Sequence, residues 1–187
     1  MIIAGDIGGT KTNVALFETD EARLGQVVLQ KSYPSRNYGA LEDILREFVA
    51  EFSPEVTHAC FGVAGPVVGG RVVASNLPWV IASESLASTV GVKSVGLIND
   101  LEATAYGIAA LSPSQLYILN PGTGDGRGHR ALIAAGTGLG MAGIFWDGER
   151  YHPMASEGGH IDFAPRNERE IELLRYLQEK LKRRVSY

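Results

Sequence analysis

Gly5-Asp6-Ile7-Gly8-Gly9-Thr10-Lys11-Thr12 is the stretch on which the reading of this chain turns. The apolar run Met1-Ile2-Ile3-Ala4 leads into it and Asn13-Val14-Ala15-Leu16-Phe17 leaves it, a pattern that predicts strand, glycine turn, strand. Adjacent Gly8 and Gly9 permit a tight bend and keep side chains away from a close ligand. Backbone N–H groups on such a turn can face a phosphate, and Thr10 and Thr12 offer hydroxyl donors. Asp6 sits where a strand ends, able to hold a cation directly or through water. An ordinary hairpin with a solvated Lys11 shows the same local pattern, so the turn needs support from elsewhere in the chain.

Support comes far downstream. Ala131-Leu132-Ile133-Ala134-Ala135 reads as a strand, followed by Gly136-Thr137-Gly138-Leu139-Gly140 and then Met141-Ala142-Gly143-Ile144-Phe145-Trp146. A dinucleotide fingerprint would open a helix at the glycines. Gly143 and the β-rich residues up to Asp147-Gly148 predict a second hairpin instead. Two such hairpins resemble the two phosphate clamps of the actin-like sugar kinase and ATPase fold. Gly122 to Gly128 is also glycine-rich, but no apolar strand adjoins it closely on both sides, and it reads as a surface loop.

Composition narrows the partners. The chain has 187 residues, 45% hydrophobic and 20% charged, as a soluble globular protein has. Its net charge of −4 argues against nucleic acid, because phosphate-backbone binding needs clustered positive charge. The basic cluster from Lys180 to Arg184 lies at the end of a predicted helix, where cations suit the helix dipole. Cys60 is the single cysteine, read as a buried small residue. No internal disulfide or cysteine metal site can form, which fits a reducing cytoplasm. No secretory signal or membrane-length apolar run is evident, so no membrane partner is expected.

Strands are predicted near Ile2–Gly5, Thr12–Phe17 and Gln26–Ser32, followed by an amphipathic helix over 40–52 carrying Leu41, Ile44, Leu45, Phe48 and Phe52. His58 to Ala64 reads as a buried strand stopped by Gly65-Pro66, and Val72-Val73 as a short strand before Ser75-Asn76-Leu77-Pro78-Trp79. Ser83 to Val90 reads as helix, Val95 to Ile98 as strand, and a helix after Asp100 runs to Leu111. This order predicts a mixed α/β class with two lobes. Residues 1–111 are assigned to a small lobe and 112–187 to the start of a large one, the boundary falling at Ser112-Pro113-Ser114. Gln115 to Leu119 is predicted to be a strand. Asn167 and Glu170 form a capping pattern for a last helix whose Ile171, Leu174, Leu177 and Leu181 share one apolar face. That stripe lacks an evident partner, and the second lobe is expected to be incomplete.

Ile98-Asn99-Asp100-Leu101 places a carboxylate at the carboxyl end of a strand and the start of a helix, where open α/β sheets gather ligands. Asp100 there can also be a helix cap, while the Asn99 amide suits a sugar hydroxyl. Glu157-Gly158-Gly159-His160 projects an acceptor and a donor from a backbone that a ligand can approach closely. No other histidine or cysteine lies at metal-ligand spacing from His160, so no metal is assigned to it.

These four motifs, together with Ile161-Asp162-Phe163-Ala164-Pro165, stand in the order that resembles bacterial glucokinases throughout residues 1–187. The resemblance implies an actin-like ATPase (ribonuclease H-like) fold and ATP-dependent phosphorylation of glucose at its 6-hydroxyl, the first step of glycolysis. It implies that Asp100 is the catalytic base and that Asn99, Glu157, His160 and Asn76 bind the sugar. Asp6, Gly8, Gly9, Thr10, Gly136, Thr137 and Gly138 would bind ATP, with Mg2+ as cofactor, and the full-length form would be a cytoplasmic homodimer. The related repressor–kinase branch carries a cysteine-rich zinc site after its Glu-x-Gly-His motif; Ile161 to Glu170 contains no cysteine, which favours the zinc-free branch. The family also has a sugar-binding Glu and an adenine region beyond the equivalent of Tyr187, so residues 1–187 alone are not expected to be a competent kinase. An actin-like ATPase without a sugar substrate and a sugar-responsive regulator are the alternatives. Asn99, Asp100, Glu157 and His160 speak against the first, the charge against the second.

Overall fold

A computed structural model describes residues 1–20, 23–52, 55–123, 126–136 and 138–186. The chain forms two compact units, Met1–Ala103 and Thr104–Tyr187, dividing inside a helix.

The first unit is built on a five-stranded sheet. Strands β1 (Ile2–Ile7), β2 (Lys11–Asp20) and β3 (Arg23–Pro34) form the expected antiparallel meander, and β4 (His58–Val63) and β7 (Val95–Asn99) add parallel to β1. The order is β3-β2-β1-β4-β7. Helix α1 (Leu41–Phe52) presents Leu41, Ile44, Leu45 and Phe48 at helical spacing, and all four are fully buried with Ile3, Ile7, Val14 and Phe61 of the sheet. Each such side chain stabilises the unit by roughly 1.5–3 kcal/mol relative to exposure. Helix α2 (Ser83–Val90) adds Leu86 and Val90 to this core and ends at Gly91, whose φ of 79° stops the helix as the left-handed C-terminal residue does in general.

A small ribbon of β5 (Arg71–Val73) and β6 (Val80–Ala82) closes the unit, burying the Val72↔Ile81 pair. The sequence reading missed β6. Cys60 on β4 is half-buried rather than buried; that burial, with the nearby Glu102 carboxylate, pushes its thiol pKa up.

Helix α3 (Asp100–Ile108) begins at Asp100 itself; tighter i→i+3 bonds carry the helical turns on to Leu111. In the second unit, β8 (Arg130–Ala135), β9 (Leu139–Trp146) and β10 (Tyr151–Ser156) form an antiparallel sheet in the order β10-β9-β8. The hairpin expected around Gly136 is present. The strand expected over Gln115–Leu119 is not: Pro113–Gln115 make a short 3-10 turn, and the residues after it pair with no strand among the described residues. Without a ladder partner, high β-propensity leaves only exposed side chains, 87% at Tyr117 and 91% at Leu119. Helix α4 (Glu168–Leu181) starts as its capping pattern required, the Asn167 side chain accepting from the Glu170 N–H at 3.0 Å. Its stripe residues Ile171, Leu174 and Leu177 are half-buried and Leu181 is exposed.

Candidate functional site

Three parallel strands of the first unit end level. Ile7 is paired with Val63, and Val63 with Asn99, so the chain leaves β1, β4 and β7 at one edge of the sheet. Gly8-Gly9-Thr10, Ala64-Gly65-Pro66 and Asp100 follow these ends directly. Carboxyl ends of parallel strands are where open α/β sheets bind ligands.

Asn99 ties this edge together. It is 6% exposed; its Oδ1 accepts from the N–H groups of Leu101 at 2.9 Å and Glu102 at 3.3 Å, the bonding of a helix cap. Its Nδ2 donates to the Gly65 carbonyl at 3.2 Å, leaving one amide proton for a ligand. Gly65 has a φ of 136°, a conformation that a side chain would strain. Asn99 therefore caps α3 with two of these bonds, and Asp100 shares the first of the amides. Asp100 is half-exposed and its Oδ1 also accepts from the Leu101 N–H at 2.9 Å. A Cβ on Gly62 of β4 would lie 3.0 Å from the Ala103 Cβ and 3.7 Å from the Asp100 Cα, so the bare glycine lets the first turn of α3 approach the sheet.

The first glycine turn is fastened from the inside. Gly8 N–H donates to the Lys11 carbonyl at 3.1 Å. Ser35, fully buried in the short turn after β3, donates its Oγ–H to the Gly8 carbonyl at 2.7 Å and its N–H to the Thr10 carbonyl at 3.1 Å. Thr12, expected as a donor to phosphate, is fully buried and bonds Ser35 at 3.0 Å, so its hydroxyl faces inward. Neither Gly8 nor Gly9 has positive φ. What Gly9 makes room for is Asn76, whose Cβ would stand 2.4 Å from a Cβ at Gly9. Asn76, itself exposed, is thereby held beside the turn. The amides of Gly9 and Thr10 have no hydrogen-bond partner among the described residues and Thr10 is exposed, an arrangement suited to an anion. The exposed Asp6 carboxylate accepts from the Asn13 side-chain amide at 3.3 Å.

In the second unit Gly136 and Gly138 close the other hairpin through a bond of 2.9 Å, while Thr137 lies outside the described residues. Gly158–His160 form a 3-10 turn seated on the start of β9. A Cβ at Gly159 would fall 1.7 Å from the Leu139 carbonyl oxygen, and one at Gly158 would fall 3.2 Å from the Met141 Sδ. The structure thus brings the Glu157–His160 turn against the second glycine hairpin. Glu157 and His160 are both exposed and pair with each other, Oε2 to Nδ1, at 3.1 Å.

Within the first unit, then, Asp6, Gly8, Gly9, Thr10, Asn76, Asn99 and Asp100 share one sheet edge; within the second, Gly136, Gly138, Glu157 and His160 share one hairpin. The sequence reading missed Ser35, Gly62 and Gly65. Gly65 carried a usable signal, a Gly-Pro pair ending an apolar strand; Ser35 carried none.

The family model for glucokinase matches residues 3–187. A glucokinase from Nostoc punctiforme is 39% identical over 181 residues, covering 96% of this chain and 53% of that protein. Among solved structures, a glucokinase from an Antarctic psychrotroph superposes with a TM-score of 0.76 at 28% identity, over 99% of this chain and 58% of that one. A glucokinase from Balamuthia mandrillaris in complex with glucose has the same TM-score at 24% identity, over 100% and 57%, a likeness of fold. The chain spans about half the length of the relatives it matches. The chain has the actin-like ATPase fold of these sugar kinases, and it belongs to the glucokinase family.

Proposed function

We propose that this chain contributes the catalytic base, the first phosphate turn and sugar ligands for ATP-dependent phosphorylation of glucose at its 6-hydroxyl. The observation that carries the reading is Asp100, half-exposed where the level ends of β1, β4 and β7 meet the start of α3, next to the buried Asn99. Asp100 takes the 6-hydroxyl proton as that oxygen forms its bond to the γ-phosphorus; the bond from phosphorus to the β–γ bridging oxygen breaks and ADP leaves. The Gly9 and Thr10 amides cradle phosphate oxygens, as do Gly136, Thr137 and Gly138, and Asn99, Asn76, Glu157 and His160 hold sugar hydroxyls. Positioning and electrostatics supply most of the rate, because phosphoryl transfer asks little covalent chemistry of the protein.

Mg2+, when bound, neutralises charge on the phosphates. Asp6 would hold it, directly or through water. The donor set fits: Mg2+ is bound by one or two carboxylates with phosphates and water, and the described residues contain no cluster of three acidic, histidine or cysteine ligands that would form an all-protein cage. A lobe boundary at 111/112 and a cytoplasmic, homodimeric full-length protein acting without nucleic acid or membrane belong to the same reading. The net charge of −4 supports action without nucleic acid, and among the described residues no helix is long and apolar enough to cross a membrane.

The test is ADP formation by the full-length protein with and without glucose. ADP should appear only with glucose, and Asp100→Asn should cut turnover about a hundredfold or more while glucose still binds. Melting should be little changed, since Asn99 keeps the cap. ADP release that ignores glucose would replace this reading with a sugar-independent ATPase.

A further inference from the structure

Ser35 lies 25 residues from Thr10 in sequence, outside every motif, yet it touches the first glycine turn at three points. Proton counting fixes the direction of this network. The single hydroxyl proton of Ser35 goes to the Gly8 carbonyl, so in the 3.0 Å contact with Thr12 the threonine must donate. The result is a buried relay, Thr12 O–H to Ser35 O–H to Gly8 C=O, in which each bond polarises the next. In a trans peptide the C=O and N–H point in opposite directions within the peptide plane, and the described residues contain no cis bond. Drawing the Gly8 carbonyl inward therefore turns the Gly9 N–H outward, to the side open to a phosphate. The second bond, from Ser35 N–H to the Thr10 carbonyl, pins the turn on the far side of Gly9.

We propose that Ser35 is a positioning residue for nucleotide binding: it holds the Gly8 carbonyl inward so that the Gly9 amide is presented to an ATP phosphate. The inference rests on the kinase reading above for the identity of the ligand, but its test reads ATP binding and so is separable from turnover. In the full-length protein, Ser35→Ala should weaken ATP affinity about tenfold, the scale of one or two buried hydrogen bonds. Glucose affinity and kcat at saturating ATP should stay within about twofold. Thr12→Val keeps the shape and removes only the outer donor, so it should weaken ATP in the same direction by less. Ile81→Val, a truncation in the fully buried core of the same unit, serves as the stability control and should leave ATP affinity alone.

Ser35→Ala with a lowered Tm but parental ATP affinity would overturn the proposal, as would an affinity loss that Ile81→Val reproduces. If Ser35→Ala does not fold, Thr12→Val decides: parental ATP affinity sinks the relay, weakened affinity supports it. A parent protein that binds ATP without phosphorylating glucose would break the kinase reading and leave the Ser35 comparison standing. A parent that binds no ATP would end both.

Discussion

Gly8-Gly9-Thr10 is enclosed by side chains: Ser35 and Thr12, both without exposure, bond it from within, and Asn76 packs on Gly9. The Gly136–Gly138 turn has neither kind of neighbour among the described residues; its support is one bond across the turn and the backbone of Gly159 lying on the Leu139 carbonyl. The two turns read almost identically as sequence. One is held by a polar network whose members can each be replaced, the other by a close contact between main chains that admits no side chain. A glycine motif states where the backbone must be bare; it does not state what holds the backbone in place.

The contrast is sharpest at Gly159. Gly159→Ala sets a Cβ 1.7 Å from a main-chain oxygen that cannot swing aside. We expect it to cost more than about 3 kcal/mol in the second unit, or to detach the Glu157–His160 turn from β9 with loss of glucose affinity. Unchanged melting and unchanged glucose binding would show that the two turns are held alike. At the first turn the effect should be smaller. The Cβ of Gly9→Ala meets the Asn76 Cβ at 2.4 Å, so the exposed backbone segment that carries Asn76 must shift, for about 1–2 kcal/mol. Asn76→Gly removes the opposing atom, so the double variant should recover much of that loss; strict additivity in a double-mutant cycle would refute the contact.

The smallest effect belongs to the far end of the second sheet. There the Asp147 carboxylate accepts from the Arg150 and Glu149 amides and pairs with His152, which holds its pKa far below the ordinary 3.8. A depressed folded pKa means the carboxylate stabilises the turn fully above the unfolded pKa near 4, and that contribution is lost progressively as the pH falls from there through the depressed folded value. Amide exchange should loosen at Glu149 and Arg150 in that range while the Gly136–Gly138 turn is unaffected. Simultaneous loosening of both would argue that the sheet opens as one.

What was legible in the sequence followed periodicity and punctuation. The α1 stripe, the two hairpins, the Asn167 cap and the strand-to-helix junction at Asn99-Asp100 each carry a local signature. Strand β10 was not seen because His152-Pro153 interrupts its alternation; as an edge strand it can carry a proline. The Gln115–Leu119 run was overread, since β-propensity is realised only against a neighbouring strand. The capping role of Asn99 is not legible in the sequence, because linear sequence does not show which of two adjacent polar residues turns its side chain back onto the helix. Ser35 lay beyond reach for a similar reason: a buried hydroxyl relay joins residues that only the sheet brings together.

The level ends of β1, β4 and β7 impose a further condition on how this protein can change over evolutionary time. Each residue added to or deleted from one of these strands would shift its exit by about 3.3 Å and turn every side chain to the opposite face. Asp100, the glycine turn and Gly65 would then no longer face one another across a common rim. Insertions in this unit should accumulate where the chain enters these strands, and the three strand lengths should vary together or not at all.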